Sequence, residues 1–468
     1  MINVHSEPQR PCCAPVPSNI HTTIQPTLTA MTPIIPRELI DLCIAASSDC
    51  FPTLLQVSLV SKECASEARK YVFKEINLDR RDRSVDAYSY YIQTLVNLLE
   101  SNRMLGNCVR TLILPLDPSI IATSKVYTQD LPEILKYFAS LEMLSVAPPS
   151  DFNWEALPDP LKQSIGLCCS ASSISRLAFV YFLNFPGHLL QSAPNLTTLA
   201  LAHVNSGPEA GSQSVPAAAC IRPSYAESRL TTLTVYDASS VMHSCILADP
   251  KWISQLKQLS CHILTQEDLT FCCRLIRECA ASLKELIIDF QFIENNSPIH
   301  LGDMISLPEV TKLTVGSRVE LQDHTEGDPD PGPESQLPLF LDILRSQPNT
   351  KVFIIDIKVR IPSSHITSSE APPALRDREA WKAIDEYLSS ETMTVPVETV
   401  LIFTIGWVGR SRADSDEQQR LSEAEEIIPL KSQLLREAHE VLPRTVKAER
   451  VRMIIDDEPY YMGPDSEA

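Results

Sequence analysis

The sequence predicts an α/β solenoid preceded by a small module of three helices. Three observations predict this fold class: a short apolar pattern recurs along most of the chain, segments with helical periodicity lie between its copies, and residues 33–79 hold three short apolar helices. In a solenoid each repeat buries its apolar side against its neighbours, so regular recurrence is the expected signature.

The recurring pattern is apolar-x-x-apolar-x-apolar. Its last three positions alternate between apolar and other residues, which is typical of a β-strand with one face turned inward. Eight copies begin at Val109, Leu141, Ile174, Leu196, Leu230, Leu256, Leu283 and Val310, at intervals of 22 to 34 residues. The pattern resembles leucine-rich repeats, which span about 20–29 residues with a strand and a helix in each unit. The longer intervals are expected to hold surface insertions, which cost little.

The positions between the apolar residues are predicted to point outward along a parallel sheet. Helices are predicted between the strands over 131–139, 161–169 and 269–279. The outward positions are the candidate surface for a protein target, and a plain solvated sheet face is the alternative that the sequence leaves open. They are Arg110, Thr111, Glu142, Arg176, Thr197, Thr198, Thr231, Thr232, Lys257, Gln258, Lys284, Glu285, Thr311 and Lys312.

The last third of the chain matches the pattern only in part. Copies are predicted to begin at Asn349, Val397 and Ala448. Helices are predicted near 337–346, 376–388 and 421–441, so the solenoid is expected over 80–455. The remaining segments are predicted to be loops or disordered because they are rich in Pro, Ser and charged residues: 1–32, 205–228, 323–335, 362–373, 410–420 and the acidic tail 456–468.

The helices of the N-terminal module are predicted from proline positions and apolar spacing. Pro36 suits the first turn of a helix, where its missing N–H costs nothing. A second helix is predicted to open at Pro52 and a third to cover 62–73, followed by a strand over 75–78. Because the apolar residues of 54–60 nearly encircle the second helix, both of its sides are expected to be covered.

Residues 35–79 resemble the fungal F-box-like motif. Ile35-Pro-Arg-Glu-Leu-Ile40 resembles its Leu-Pro-x-Glu-Leu opening, and residues 53–62 (TLLQVSLVSK) resemble its second half, Leu-Leu-x-x-Ser-Leu-Val-Cys-Arg. Residues 71–78 (YVFKEINL) resemble the Leu-Phe-Arg-x-Ile-x-Leu strand that follows in many such fungal proteins. Cys64 stands where the family usually has Trp, and Cys43 stands where it often has Ile. The smaller side chains predict a loss of about 1–3 kcal/mol of stabilising burial free energy at each site.

The resemblance implies that the chain recruits proteins rather than transforms them. In that family the helices dock on the adaptor subunit of a cullin–RING ubiquitin ligase, and the repeats hold a target protein. The alternative is a leucine-rich-repeat scaffold without a ligase role, in which the helices only cap the solenoid. The residues predicted to bind the adaptor are Pro36, Leu39, Ile40, Ile44, Leu54, Leu55 and Val60.

Composition and motifs predict a chain that is not an enzyme and needs no metal or cofactor. The chain has 468 residues and a net charge of −19, which disfavours partners such as nucleic acids and anionic membranes. It has only 12 glycines and lacks phosphate-binding loops and metalloprotease helices. A metal at Cys272, Cys279 and His262 is a minor alternative, because free Cys is commonly a core residue. His203 and His262 are predicted to point outward from strands, as surface or hydrogen-bonded residues rather than as general bases.

The N-terminal residues lack the apolar core of a signal peptide, and no run reaches the roughly 18 apolar residues of a membrane helix. The expected location is therefore intracellular, in the cytoplasm or nucleus.

Overall fold

The computed structural model describes most of the chain between residues 36 and 460. It describes residues 36–78, 84–121, 124–206, 229–245, 250–291, 307, 309–320, 337–346, 350–361, 378–390, 398–408, 432, 436, 438–447 and 451–460. The predicted disordered or loop segments 1–32, 323–335, 362–373 and 410–420 lie outside these ranges, as do residues 207–228 of the predicted insertion and most of the predicted helix 421–441. The chain divides into two compact units, Met1–Leu114 with Tyr137–Leu141 and Pro115–Lys136 with Glu142–Ala468.

The first unit opens with three helices and a strand where the sequence predicts them. Pro52 lies in the first turn of the second helix, and the side chain of Ser61 caps the third by accepting the backbone N–H of Cys64 at 3.1 Å. A longer helix and a 3₁₀ turn, Arg103–Cys108, lead to the second strand. The elements of this part are α1 (Arg37–Ala46), α2 (Phe51–Ser58), α3 (Lys62–Val72), β1 (Glu75–Asn77), α4 (Val85–Ser101) and β2 (Thr111–Pro115).

The three N-terminal helices enclose a small core of their own. Ile44, Leu54, Cys64 and Ala68 are buried in it, and partly buried side chains from all three helices pack around them. Cys64 is 8% exposed and is therefore a core residue, and the loss of burial free energy expected from its small side chain stays a prediction. The same expectation is wrong for Cys43, because that side chain is exposed and contributes nothing to the core.

β1 and β2 lie side by side and parallel, with Ile76 opposite Leu112. Parallel neighbours need a crossover, which α4 provides between them. The side chains that α4 buries recur at helical spacing, and they are Tyr88, Ile92, Leu95, Val96 and Leu99.

The second unit is a parallel sheet whose strands follow one another in chain order. β3 pairs with β5, which also carries the two-residue β4, and from β5 to β13 each strand pairs in parallel with the next. This sequential order is the topology of a solenoid. The strands are β3 (Met143–Ala147), β4 (Phe152–Asn153), β5 (Arg176–Leu183), β6 (Thr198–Val204), β7 (Thr232–Tyr236), β8 (Gln258–Ile263), β9 (Glu285–Gln291), β10 (Lys312–Glu320), β11 (Val352–Ile361), β12 (Glu398–Val408) and β13 (Val451–Tyr460).

Helices occupy many of the connections between these strands, as in leucine-rich repeats. The predicted helices over 131–139, 161–169, 269–279, 337–346 and 376–388 all form, with ends that differ by a few residues. After β2 the helices are a π turn (Val126–Asp130), α5 (Leu131–Tyr137), a 3₁₀ turn (Trp154–Ala156), α6 (Asp159–Ser170), α7 (His188–Gln191), α8 (Ser239–Cys245), a 3₁₀ turn (Pro250–Ile253), α9 (Gln266–Cys279), α10 (Leu337–Ser346), α11 (Arg378–Ser389) and α12 (Pro443–Lys447).

The repeated apolar residues form the core that the sequence predicts. In each of the eight copies between Val109 and Val315, the first, fourth and sixth residues are at most 5% exposed. Leu199 and Leu233, at the fourth position of adjacent copies, are opposite each other and fully buried. The alternation of inward and outward residues therefore holds through all eight copies.

The predicted alternation is wrong by one residue in β11. The copy beginning at Asn349 places Val352 and Ile354 inward. The register with β10 instead sets Phe353 and Ile355 opposite the inward residues of that strand, and both are at most 2% exposed. A one-residue shift exchanges the two faces of a strand.

The shift continues into β12, where the copy beginning at Val397 predicts Val400 and Ile402 inward. The register sets Thr399 opposite Phe353, and Thr399 is 2% exposed. Val400 is also buried, at 7%, so burial of that residue agrees with the prediction although the register does not. In β13 the register agrees with the predicted copy, because Val451 lies opposite Thr399. This strand continues to Tyr460, into the segment expected to be an acidic tail.

Candidate functional site

Large apolar side chains of α1, of α2 and of the residues just after α2 are exposed. Phe51, Leu55 and Leu59 follow one another at i, i+4 and i+8, so they form a single stripe along α2 and its end. Leu54, the residue before Leu55, is instead buried in the module core. We call this set the helical apolar face; its members and their exposed fractions are Leu39 52%, Leu42 64%, Phe51 37%, Leu55 45%, Leu59 86% and Val60 75%.

The residues predicted to bind the adaptor fall into two groups. Pro36, Leu39, Leu55 and Val60 are exposed, and Ile40 is half-buried. Ile44 and Leu54 instead lie in the module core, where they are 2% and 1% exposed.

Three members of the helical apolar face are not among the residues that the sequence predicts to bind the adaptor. They are Leu42, Phe51 and Leu59. The i, i+4 spacing of the last two with Leu55 is the signal that identifies them, once Leu54 is known to face the core.

The outward positions of the repeats are exposed or half-buried, as predicted. Several of them serve the sheet itself. The hydroxyl of Thr197 donates to the carbonyl of Ser175 at 3.0 Å, and that of Thr231 donates to the carbonyl of Thr197 at 3.1 Å. These threonines thus join each repeat to the one before it, which favours a structural role for them over recognition.

Two histidines on the sheet each lie beside an aspartate from the next strand. His203 Nδ1 is 3.1 Å from Asp237 Oδ2, and His262 Nδ1 is 3.2 Å from Asp289 Oδ2. Both side chains are about a quarter exposed, so the histidines are half-buried residues with a carboxylate beside each of them. The partners lie 34 and 27 residues away in sequence, and only the register of the strands brings them together.

The Asp289 carboxylate occupies space that a glycine leaves open. Its side chain is 4% exposed, and it lies over Gly316 of the neighbouring strand. A Cβ atom at position 316 would lie 2.8 Å from Asp289 Oδ1, which real Cβ atoms essentially never do. Gly316 therefore permits the buried carboxylate to sit beside His262.

The cysteines of the repeats behave as core residues. Burial raises the pKa of the Cys168 thiol to about 11 and that of Cys279 to about 12, so both remain protonated near neutral pH. Cys272 is also buried. Within the part of the chain that the structure describes, no three His, Cys, Asp or Glu side chains are grouped as a metal site requires.

Among the described helices, none combines the length and the apolar character needed to cross a membrane.

Comparison with known proteins identifies a distant structural likeness only. No protein-family model matches the chain, and no curated protein sequence is similar to it. Among solved structures, an internalin from Listeria monocytogenes aligns with 72% of this chain and 92% of its own, at 13% identity and a TM-score of 0.26.

Proposed function

We propose that the chain is the substrate-receptor subunit of a cullin–RING ubiquitin ligase. The helical apolar face binds the adaptor subunit of the ligase, and the repeat sheet holds a protein target. In this role the chain brings two proteins together and carries out no chemical step itself.

The observation that carries this proposal is the exposure of the helical apolar face. A small helical module normally turns its largest apolar side chains inward, yet Leu59 and Val60 are 86% and 75% exposed. Contiguous exposed apolar residues mark sites of protein–protein contact. Fully burying one such side chain contributes about 1.5–3 kcal/mol, so a few of them suffice to anchor a partner.

The arrangement of the module supports the same proposal. Its core is closed by Ile44, Leu54, Cys64 and Ala68. The exposed stripe of α2 is therefore not part of this core, and it remains available to a partner.

Co-purification with the ligase adaptor tests the proposal. The full chain is expressed with the adaptor subunit, as the wild type and with Leu39→Asp and Leu55→Asp together. Placing two carboxylates in an apolar interface is expected to weaken adaptor binding at least about a hundredfold, because unpaired charges cannot be buried there.

A matched control is Tyr90→Asp, which changes an apolar residue that is 76% exposed on α4, outside the helical apolar face. It is expected to bind the adaptor like the wild type. Circular dichroism checks that all variants keep their helices. If folded wild-type protein does not bind the adaptor, or if the double variant binds equally well, the ligase proposal is wrong and the scaffold alternative takes its place.

A further inference from the structure

Four rings form a row across four adjacent strands of the repeat sheet. Tyr181 stacks on His203 with a centroid distance of 4.8 Å and an interplanar angle of 8°. His203 meets Tyr236 at 4.4 Å, and Tyr236 meets His262 at 5.0 Å. These centroid distances are close to the roughly 4.8 Å between neighbouring strands, as expected when each strand contributes one ring. We call these four residues the ring row.

The backbone at one end of the ring row is held in an uncommon conformation. Tyr181, His203 and Asp237 have φ angles of 60°, 51° and 45°, in the left-handed region that residues other than glycine rarely adopt. Each of them follows a residue in the regular ladder, namely Val180, Ala202 or Tyr236. The same local turn is thus repeated in three successive strands. It aligns the first two rings and places Asp237 beside His203.

The groups around the ring row carry negative charge. Asp237 and Asp289 each lie beside one histidine, and Asp356 occupies the position after Gly316 in the same register. Along this register line, from β5 to β11, the residues are Val180, Ala202, Tyr236, His262, Asp289, Gly316 and Asp356. None of them is Lys or Arg, so the charged residues on this register line are aspartates.

One of the two histidines adds a hydrogen-bond acceptor to that charge. A neutral imidazole whose Nδ1–H donates to a carboxylate has its lone pair on Nε2. The hydrogen bond between His203 Nδ1 and Asp237 Oδ2 favours this tautomer in His203. His262 Nδ1 lies 3.2 Å from Asp289 Oδ2 without making a hydrogen bond. The ring row therefore offers aromatic rings, an acceptor nitrogen and carboxylates together.

We propose that the ring row binds an arginine side chain of the target protein. A guanidinium is planar, carries five N–H donors and a permanent charge, and stacks on aromatic rings. These properties match the carboxylates, the acceptor nitrogen of His203 and the rings better than those of a compact ammonium do. The inference rests on the half of the proposed function in which the repeat sheet holds a target, and it is independent of adaptor binding.

The experiment uses the full chain labelled with ¹³C in its histidine rings. His203→Asn and His262→Gln assign the two signals by their loss. The probes are a blocked glycine–arginine–glycine peptide and its citrulline analogue, which has the same shape without the charge. The arginine peptide is expected to shift both signals in a saturable manner at neutral pH. The citrulline peptide is expected to bind at least about tenfold more weakly than the arginine peptide.

Asp237→Asn is the decisive variant, because asparagine also tolerates a positive φ and keeps the shape of the side chain. It is expected to weaken binding of the arginine peptide about tenfold. The control is Thr234→Ala, two residues earlier on the same face of β7, which is expected to leave binding unchanged.

Three results would overturn the inference: no shift of either signal, equal binding of the citrulline peptide, or no effect of Asp237→Asn. Because no adaptor is present, any of them leaves the adaptor proposal standing. Loss of adaptor binding, in turn, does not affect this result.

Discussion

The N-terminal helices and the repeats use the same apolar residue types for opposite purposes. In the eight copies of the recurring pattern between Val109 and Val315, every leucine or valine lies inside, at most 5% exposed. In α1 and α2, comparable side chains lie outside, and Leu59 reaches 86%. Since burial stabilises a fold and exposure provides contact surface, the difference separates residues that hold the chain together from residues available to a partner.

The size of each element explains why the two regions differ. A strand in the sheet is covered by its neighbours along the whole solenoid, so every inward residue has partners. Three short helices can cover only one side of themselves, and Ile44 and Leu54 already fill that side. Apolar residues beyond this requirement remain at the surface.

The largest contrast is expected from shortening one leucine in each region. Leu199→Ala removes a fully buried side chain and is expected to lower the free energy of unfolding by about 2–5 kcal/mol. Leu59→Ala is expected to change it by less than about 0.5 kcal/mol, because the side chain is already in water. Urea denaturation of the full chain, followed by circular dichroism, compares the two. Equal losses would show that Leu59 supports the fold, and the distinction between the regions would fail.

The repeats were the most predictable part of the fold, because their pattern indicates both where each strand lies and which of its residues face inward. Prediction failed where that pattern is ambiguous. Residues 352–355 (VFII) and 400–403 (VLIF) are apolar at every position, so alternation is not visible. Only hydrogen bonding to β10 fixes which residues of β11 face inward.

The candidate sites were less predictable than the fold for a related reason. Leu54 and Leu55 are adjacent residues of the same type, yet Leu54 is 1% exposed and Leu55 is 45% exposed. An apolar helix gives no indication of its inner side until α1 and α3 are in place. Likewise, the pairing of His203 with Asp237 depends on strand register, which a single sequence does not state.

A smaller difference in stability is expected when one glycine in each unit is replaced by alanine. A Cβ atom at Gly106 would overlap the backbone carbonyl of Tyr137, which has little freedom to move. Gly106→Ala is therefore expected to destabilise the first unit by about 1–3 kcal/mol. At Gly166, in α6, the nearest atom to the added Cβ would be Leu189 Cδ2 at an ordinary 3.5 Å.

Gly166→Ala is expected to stabilise the second unit by about 0.5–1 kcal/mol, since alanine favours a helix. Thermal unfolding of both variants measures the effects, which should have opposite signs. A loss of stability in both would indicate that the repeats are packed as tightly at α6 as the first unit is at Gly106.

The smallest contrast concerns how one helix begins in each region. Ser61 caps α3 with a single bond, from the backbone N–H of Cys64. Thr265 caps α9 within a capping box: it accepts the Asp268 N–H at 3.1 Å, and Asp268 Oδ2 accepts the Thr265 N–H at 3.0 Å. The Thr265 hydroxyl also lies 2.9 Å from the same carboxylate oxygen, and Asp268 is 6% exposed.

Ser61→Ala removes one cap and is expected to cost about 0.5–1 kcal/mol. Thr265→Ala is expected to cost about 1–2 kcal/mol, because a buried carboxylate loses a donor in addition to the cap. Thr265→Ser keeps both bonds and serves as the control, with a change below about 0.5 kcal/mol. Denaturation midpoints rank the three variants. The opposite ranking, with a larger loss of unfolding free energy for Ser61→Ala than for Thr265→Ala, would contradict this expectation. It would show that the N-terminal module, which has the smaller core, depends more on its helix caps than the repeat does.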